Sequence, residues 1–239
     1  MDQLQIYLEQ YFFTQVKMAN LLGITNEKFD ALLNAGVFAK PSYIIRDQIL
    51  HSVVFGEFDA KGCADASYFH REMLPWMQRA LAICEHTSIT ETLSLLEQDF
   101  KQALAQALRS LHLNEWPMPD AFTDDGTVIE VGLAKRCDAN WRHYQAGIFG
   151  LCVASPVSAA AIAEKEVLQE KLSALSTVNI DVDNVEHDVE RLLQLIARYE
   201  KISMPFTHLE YPRSSRFRLV EQLRHRLLTN TKAREDHTE

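Results

Sequence analysis

Residues 14–60, TQVKMANLLGITNEKFDALLNAGVFAKPSYIIRDQILHSVVFGEFDA, decide what kind of fold this chain can adopt. Their first half is helical by its punctuation. Thr14 can cap a helix whose apolar face is Met18, Leu21 and Leu22, and Gly23 supplies a left-handed residue to end it. Thr25 can cap a second helix carrying Phe29, Leu32 and Leu33, ended by Gly36. Two short helices joined through Gly23 to Thr25 have the sequence form of a helix-turn-helix. The second half is ambiguous. Pro41 forces an extended backbone before it. The run QILHSVVF is apolar but too short for the periodicities of helix and strand to be told apart.

The remainder of the chain tips the balance toward helix. Leu93, Leu96, Phe100, Leu104, Leu108 and Leu111 form one apolar stripe over 88–113, with Ser88 or Thr90 at its start. Further helices are expected over 67–84, 138–152, 158–176, 183–199 and 214–228. Pro75 either kinks the first of these or marks the first turn of a helix that begins later. Gly147 and Gly150 within 138–152 imply close approach to another backbone. TVIEVGL (127–133) leaves room for one short β element. Only 8 glycines and 7 prolines occur in 239 residues, too few for the frequent turns of an all-β protein. The expected fold is therefore all-α. A helix-turn-helix-like part covers 1–46, a helical body 47–228 and a polar, frayed tail 229–239.

Composition bounds the partners. Apolar residues make up 47% and charged residues 24%, ordinary values for a chain that buries a core. No apolar run reaches the ~20 residues of a membrane span. The opening MDQLQIYLEQ lacks the basic and apolar regions of a secretory signal. A cytoplasmic protein is expected. Its cysteines, Cys63, Cys84, Cys137 and Cys152, contain no CxxC pair and read as reduced thiols. The formal charge of −9 repels nucleic acid at long range. One stretch is basic: Arg213, Arg216, Arg218, Arg224, Arg226 and Lys232 stand against Glu221 alone.

The helix-turn-helix could serve DNA only with Arg, Lys, Asn or Gln aimed at base edges. Its second helix reads NEKFDALLNAG, with Glu27 and Asp30 against Asn26 and Lys28. The segment resembles the start of regulators of the mercury-resistance type, in which a wing follows the second helix. Its acidic balance nonetheless makes packing or partner contact the expected role, and nucleic acid is not expected as a partner. A metal centre is not expected either. Asp183, His187 and Glu190 share one helix face and Glu166 and Glu170 another, but no Glu-x-x-His pair occurs. Arg191 and Lys171 stand ready to pair with them as a solvated face. P-loop, dinucleotide and nucleophile-elbow motifs are absent, and the sequence leaves any cofactor undefined.

Three segments stand out: SYFH (67–70), NWRHYQAGIFGLC (140–152) and PFTHLEYPRSSR (205–216). Their His, Trp, Tyr, Ser and Arg residues are costly to bury without partners, yet they adjoin apolar runs. Two interpretations compete. These side chains either satisfy helix ends within a core or line an aromatic pocket with a few oriented polar groups. On the second, His70, Trp141, His143, His208 and Arg216 form a ligand site. Arg216 contacts an anion, the histidines exchange protons, and at least three of the five line one cavity.

KPSYII, ASYFH, NWRHYQAGIFGLCVASP, IAEKE and ISMPFTHLEYPRSSRFRLVEQLR, in this order, resemble a family of bacterial proteins of unknown function labelled as natural-product biosynthesis proteins. The resemblance implies residence in specialised metabolism and supplies no reaction, cofactor or catalytic residue. The function expected is therefore small-molecule binding, or an enzymatic activity of undefined type, in that setting. The alternative is a DNA-binding regulator with a ligand-sensing helical body. A partner protein or a second copy of the chain completes the possible partners.

Overall fold

Thr14 and Thr25 both cap helices in the computed structural model, which describes residues 3–177 and 185–235. The chain opens with α1 (Gln3–Tyr11), β1 (Phe12–Thr14), α2 (Gln15–Leu22) and α3 (Asn26–Asn34). The Thr14 hydroxyl accepts from Lys17 N at 3.3 Å and that of Thr25 from Lys28 N at 3.2 Å. Gly23 ends α2 with φ of 68°, the region where a side chain would be strained.

The all-α expectation fails over the next thirty residues or so. β2 (Tyr43–Arg46), β3 (Ile49–Ser52), β4 (Gly56–Asp59) and β5 (Ala66–His70) join β1 in a five-stranded antiparallel sheet of order β1-β5-β2-β3-β4. The protein is mixed α and β. The signal was weak for physical reasons. Each strand has three to five residues, which allows two alternations at most. Tyr43 and Ile45 of β2 are buried while Arg46 is exposed. The hairpin between β2 and β3 turns on Asp47 and Gln48, with φ of 52° and 62°. Two positive φ values suit the twist of a tight hairpin, but Asp-Gln is not the Asn-Gly or Asp-Gly pair that announces one. SYFH, expected as a helix start, is β5. The helix follows at α4 (Met73–Cys84), with Pro75 in its first turn, where its missing N–H costs nothing.

The body consists of α5 (Ile89–Asn114), α6 (Glu130–Gln145), α7 (Phe149–Cys152), α8 (Ala159–Thr177), α9 (Val185–Ile202) and α10 (Leu223–Glu235). Ser88 caps α5 by accepting from Glu91 N at 3.2 Å. Its stripe faces inward: Leu96, Phe100, Leu104 and Leu108 are buried, with Leu93 and Leu111 at the margin. Each such leucine contributes about 1.5–3 kcal/mol by leaving water. α8 packs on α5, and α9 on α8. Val128 makes only an isolated bridge to Phe122, and α6 begins two residues later, so TVIEVGL is not a strand.

Sheet and body meet backbone to backbone. Lys40 N donates to Gln145 O at 2.8 Å, and Ser42 Oγ donates to Gly147 O at 2.7 Å. A Cβ on Gly147 would lie 2.3 Å from Lys40 O, and one on Gly150 would lie 2.3 Å from Ser42 Oγ. Only glycine permits that approach. The sharp break it allows between α6 and α7 leaves space beside α8. Among the described residues no helix is long and apolar enough to cross a membrane.

Candidate functional site

The space beside α8 is a cleft of about 890 Å³. Helical spacing builds two of its walls. Arg136, Asn140 and His143 fall on one face of α6, and Ile162, Glu166 and Gln169 on one face of α8. The third wall is the segment leading into the last helix. Phe206 opens it, Tyr211–Arg213 forms a 3₁₀ turn, and Ser214 caps the helix by accepting from Phe217 N at 3.0 Å. Residues Phe217–Gln222 then form a π-helical stretch. Such wide turns are frequent at functional sites, and Phe217, Arg218 and Gln222 of this one line the cleft. Phe149 and Cys152 form the floor, with Val54 and Phe55 reaching in from the β3–β4 turn.

One half of the cleft is electrostatically closed. Arg136 donates to Asp120 Oδ2 at 2.8 Å, to Glu166 Oε1 at 2.8 Å and to Glu170 Oε1 at 2.8 Å. Asn140 Nδ2 donates to the other oxygen of Glu166 at 2.7 Å. The Arg136 hydrogen bonds hold the Asp120 carboxyl below the usual aspartate range, with Lys135 adding to the effect. A fork shared by three carboxylates has no donor to spare for a ligand.

The other half is not closed. Lys165 Nζ donates at 2.6 Å to the neutral Gln169 Oε1, which also accepts from Tyr199 Oη at 3.1 Å. Tyr199 Oη and Ser215 Oγ are 2.8 Å apart. This chain of contacts connects Lys165 to the first turn of the last helix. Arg213 stands 5.9 Å from the ring centres of both Phe55 and Phe58, a cation–π arrangement. Among the described residues, none of Lys165, Arg213 and Arg218 forms an ion pair with a carboxylate. Burial raises the Tyr199 phenol, with Lys165 and Arg218 acting against the rise. Burial likewise raises the Cys152 thiol, with Lys165 opposing, so Cys152 remains a thiol at neutral pH and not a nucleophile. Aromatic and aliphatic surface from Phe149, Ile148, Ile162 and Phe206 adjoins these cations.

The five residues expected to converge are distributed differently. His143 lines this cleft. Trp141, two positions away on α6, lines a separate groove with Leu33, Phe38 and Leu93. His70 and Arg216 share a third cavity with Arg71, Glu200 and Ser203. His208 is exposed. The three segments do adjoin: His70 Cβ lies 3.1 Å from the Cβ position of Gly150, and Met204 N donates to Cys152 O at 3.4 Å. Their polar side chains nonetheless turn to different places.

Two of those side chains complete the structure around them. His70 is buried, and its Nδ1 accepts from Glu72 N at 3.2 Å. Arg216 Nη1 donates to Glu200 O and Ser203 O, both at 2.7 Å. It thereby satisfies carbonyls at the C-terminal end of α9, and its Nη2 lies 3.5 Å from Glu200 Oε1.

The carboxylate pattern on α8 and α9 also resolves differently. Glu166 and Glu170 bind Arg136, and Lys171 pairs with Glu115 at 2.6 Å. Asp183 and the side chain of His187 lie outside the described residues. Among the described residues no group of three His, Cys, Asp or Glu is placed to hold a metal ion.

Lys165, Arg213 and Arg218 were not singled out by residue type. The available signal was the basic stretch beginning at Pro212, read together with the i, i+4 spacing of Arg136 and Asn140 against Glu166 and Glu170. That combination locates the closed half of the cleft, and the open half by elimination.

A family model described as a family of unknown function (DUF6058) matches residues 96–228. The cleft falls within that span except for Val54 and Phe55. No curated protein and no solved structure matches the chain.

Proposed function

The chain belongs to DUF6058, a family of unknown function, and from its own cleft we propose that it binds a small amphipathic organic anion in specialised metabolism. The metabolic setting rests on the resemblance of the segments from KPSYII to ISMPFTHLEYPRSSRFRLVEQLR. The mode of binding rests on one observation: in an acidic protein, Lys165, Arg213 and Arg218 line one cleft beside an apolar wall, and among the described residues none of them forms an ion pair with a carboxylate. A chain with 33 carboxylates and 24 cations has ample means to neutralise three more charges. Leaving them open favours a ligand that brings the negative charge itself. An apolar wall with a few oriented polar groups is the usual build of a small-molecule site.

The test uses 1-anilinonaphthalene-8-sulfonate, an aromatic anion whose fluorescence reports burial. The expected result is saturable binding to the native protein at one molecule per chain. It should be lost in the double variant Arg213→Glu/Arg218→Glu while far-ultraviolet dichroism stays native. Binding that is indifferent to these charge reversals, or no saturable binding, refutes the proposal.

A further inference from the structure

We infer that the anion taken by this cleft is a terminal phosphoryl group, a phosphate monoester carried on an apolar body; the inference rests on the proposed binding of an organic anion there. Three observations support it. First, the cleft holds more positive charge than one carboxylate neutralises. A single carboxylate is neutralised by one cation, whereas the open half presents Lys165, Arg213 and Arg218, none of them ion-paired among the described residues. A phosphate monoester carries nearly two negative charges above its second pKa of about 6 and offers three acceptor oxygens.

Second, the donors are of the matching kinds. Arg213 and Arg218 supply planar forks that engage two oxygens at once, and Lys165 a compact charge for the third. Ser215 Oγ, already in contact with Tyr199 Oη, adds a hydroxyl between the two arginines in sequence. Third, the donors are held in place. The Phe55 and Phe58 rings flank Arg213. The hydrogen bonds through Gln169 and Tyr199 fix Lys165 relative to Ser215. Arg218 rides on the π-helical stretch that forms the wall. Arg136, the third arginine lining the cleft, contributes nothing, because Asp120, Glu166 and Glu170 occupy it. A phosphodiester, the linkage of phospholipids and nucleic acids, carries one charge and is expected to bind less well.

The experiment compares 1-naphthyl phosphate with methyl 1-naphthyl phosphate by isothermal titration at pH 8. The two share one apolar body and differ in head-group charge. The monoester is expected to bind at least tenfold more tightly. Lys165→Gln and Arg218→Gln should each reduce that preference at least threefold, with unfolding midpoints unchanged. Equal binding of the two compounds, with both lost in Arg213→Glu/Arg218→Glu, overturns the phosphoryl assignment and leaves the anion-binding proposal standing. Absence of binding by both overturns the two together. A preference for the monoester that survives both single substitutions places the phosphoryl group elsewhere and also overturns the assignment.

Discussion

Tyr43 Oη donates a 2.5 Å hydrogen bond to Glu210 Oε2 across 167 positions of sequence. Both residues are fully buried. Thr207 Oγ1 donates to the same oxygen at 2.9 Å, while Oε1 has no hydrogen-bond partner among the described residues. This contact fastens the segment carrying Phe206 and Arg213 to the central strand of the sheet. Tyr43→Phe keeps the ring packing and removes one of the two donors to a buried carboxyl group. The expected loss is about 1–3 kcal/mol in urea unfolding. Tyr68→Phe is the comparison. Its hydroxyl reaches Ala64 O at 3.3 Å in a partly buried position, and removing it should cost less than about 1 kcal/mol. Equal losses from the two substitutions would show that the Glu210 contact has no special weight.

The core assignment predicts a larger effect at Leu104, which is fully buried in the α5 stripe against α8. Leu104→Ala should cost about 2–5 kcal/mol. Val131→Ala, at a position 83% exposed, should stay within about 0.5 kcal/mol of the native protein. Denaturant titration of both variants checks the pair, and a small loss at Leu104 would reverse the assigned face of α5.

Long-period patterns were legible in the sequence, and short ones were not. The stripe from Leu93 to Leu111 spans five turns, so a few ambiguous residues cannot hide it. Helix ends were legible wherever a side chain caps them, as at Thr14, Thr25 and Ser88. The sheet escaped because β1 is three residues between two helices, and β2 turns into β3 without glycine. For the site, the three marked segments adjoin in the fold, but His143, Trp141 and the pair His70 and Arg216 line three different cavities. Sequence could not tell a ligand contact from a structural one. Arg216 and Arg218 are chemically identical and two residues apart. One faces the carbonyls that end α9 and the other lines the cleft, a difference set by the phase of a helix that itself contains a π-helical stretch.

His70 makes stability pH-dependent. Burial, with the nearby Arg71 charge, lowers its pKa from 6.5 to about 4. Between those values the unfolded chain binds more protons than the folded one. The stability contribution is therefore complete above about pH 6.5 and is lost as pH falls toward 4. Its full size is about 3 kcal/mol, from a shift of this order at 1.36 kcal/mol per unit. Protonation also removes the Nδ1 lone pair that accepts from Glu72 N. His70→Gln keeps an acceptor without a titrating ring. Urea unfolding from pH 4 to pH 7 should give a flatter acid limb for the variant, and parallel limbs would refute the role.

Arg216→Ala is predicted to destabilise the fold, in contrast to a substitution at a ligand contact. Removing its side chain leaves Ser203 O without this donor and Glu200 O with the Ser203 hydroxyl at 3.5 Å, and also breaks the contact with Glu200 Oε1 at 3.5 Å. A loss of about 2–4 kcal/mol follows from two charge-assisted hydrogen bonds. Arg218→Ala, at an exposed position without an ion pair among the described residues, should change the unfolding midpoint little and weaken anion binding. The reverse pattern would return Arg216 to the ligand site.

α3 buries Phe29 and Leu32 in the main core, so only its opposite face could meet a groove. That face offers Glu27 and Asp30, and Asp30 Oδ1 already accepts from Gln15 Nε2 at 2.8 Å. A hydrogen bond from its own backbone N–H, and then one from Thr25, hold the Glu27 carboxyl below the usual glutamate range, so it is charged at neutral pH. Phosphate contacts supply most of the affinity of DNA-binding proteins. Residues 1–56 carry Lys17, Lys28, Lys40 and Arg46 against five acidic side chains, which gives no basis for such contacts. Polarisation assays with duplexes from upstream of the protein's own gene should therefore give only weak, salt-sensitive binding. A sequence-specific Kd of ~10⁻⁸ M or tighter at physiological salt, the range of true regulators, would establish the opposite. Charge reversal at Glu27 and Asp30 supplies the control. If Glu27→Lys/Asp30→Lys gains non-specific affinity that the native protein lacks, repulsion at α3 is the cause of the weak binding.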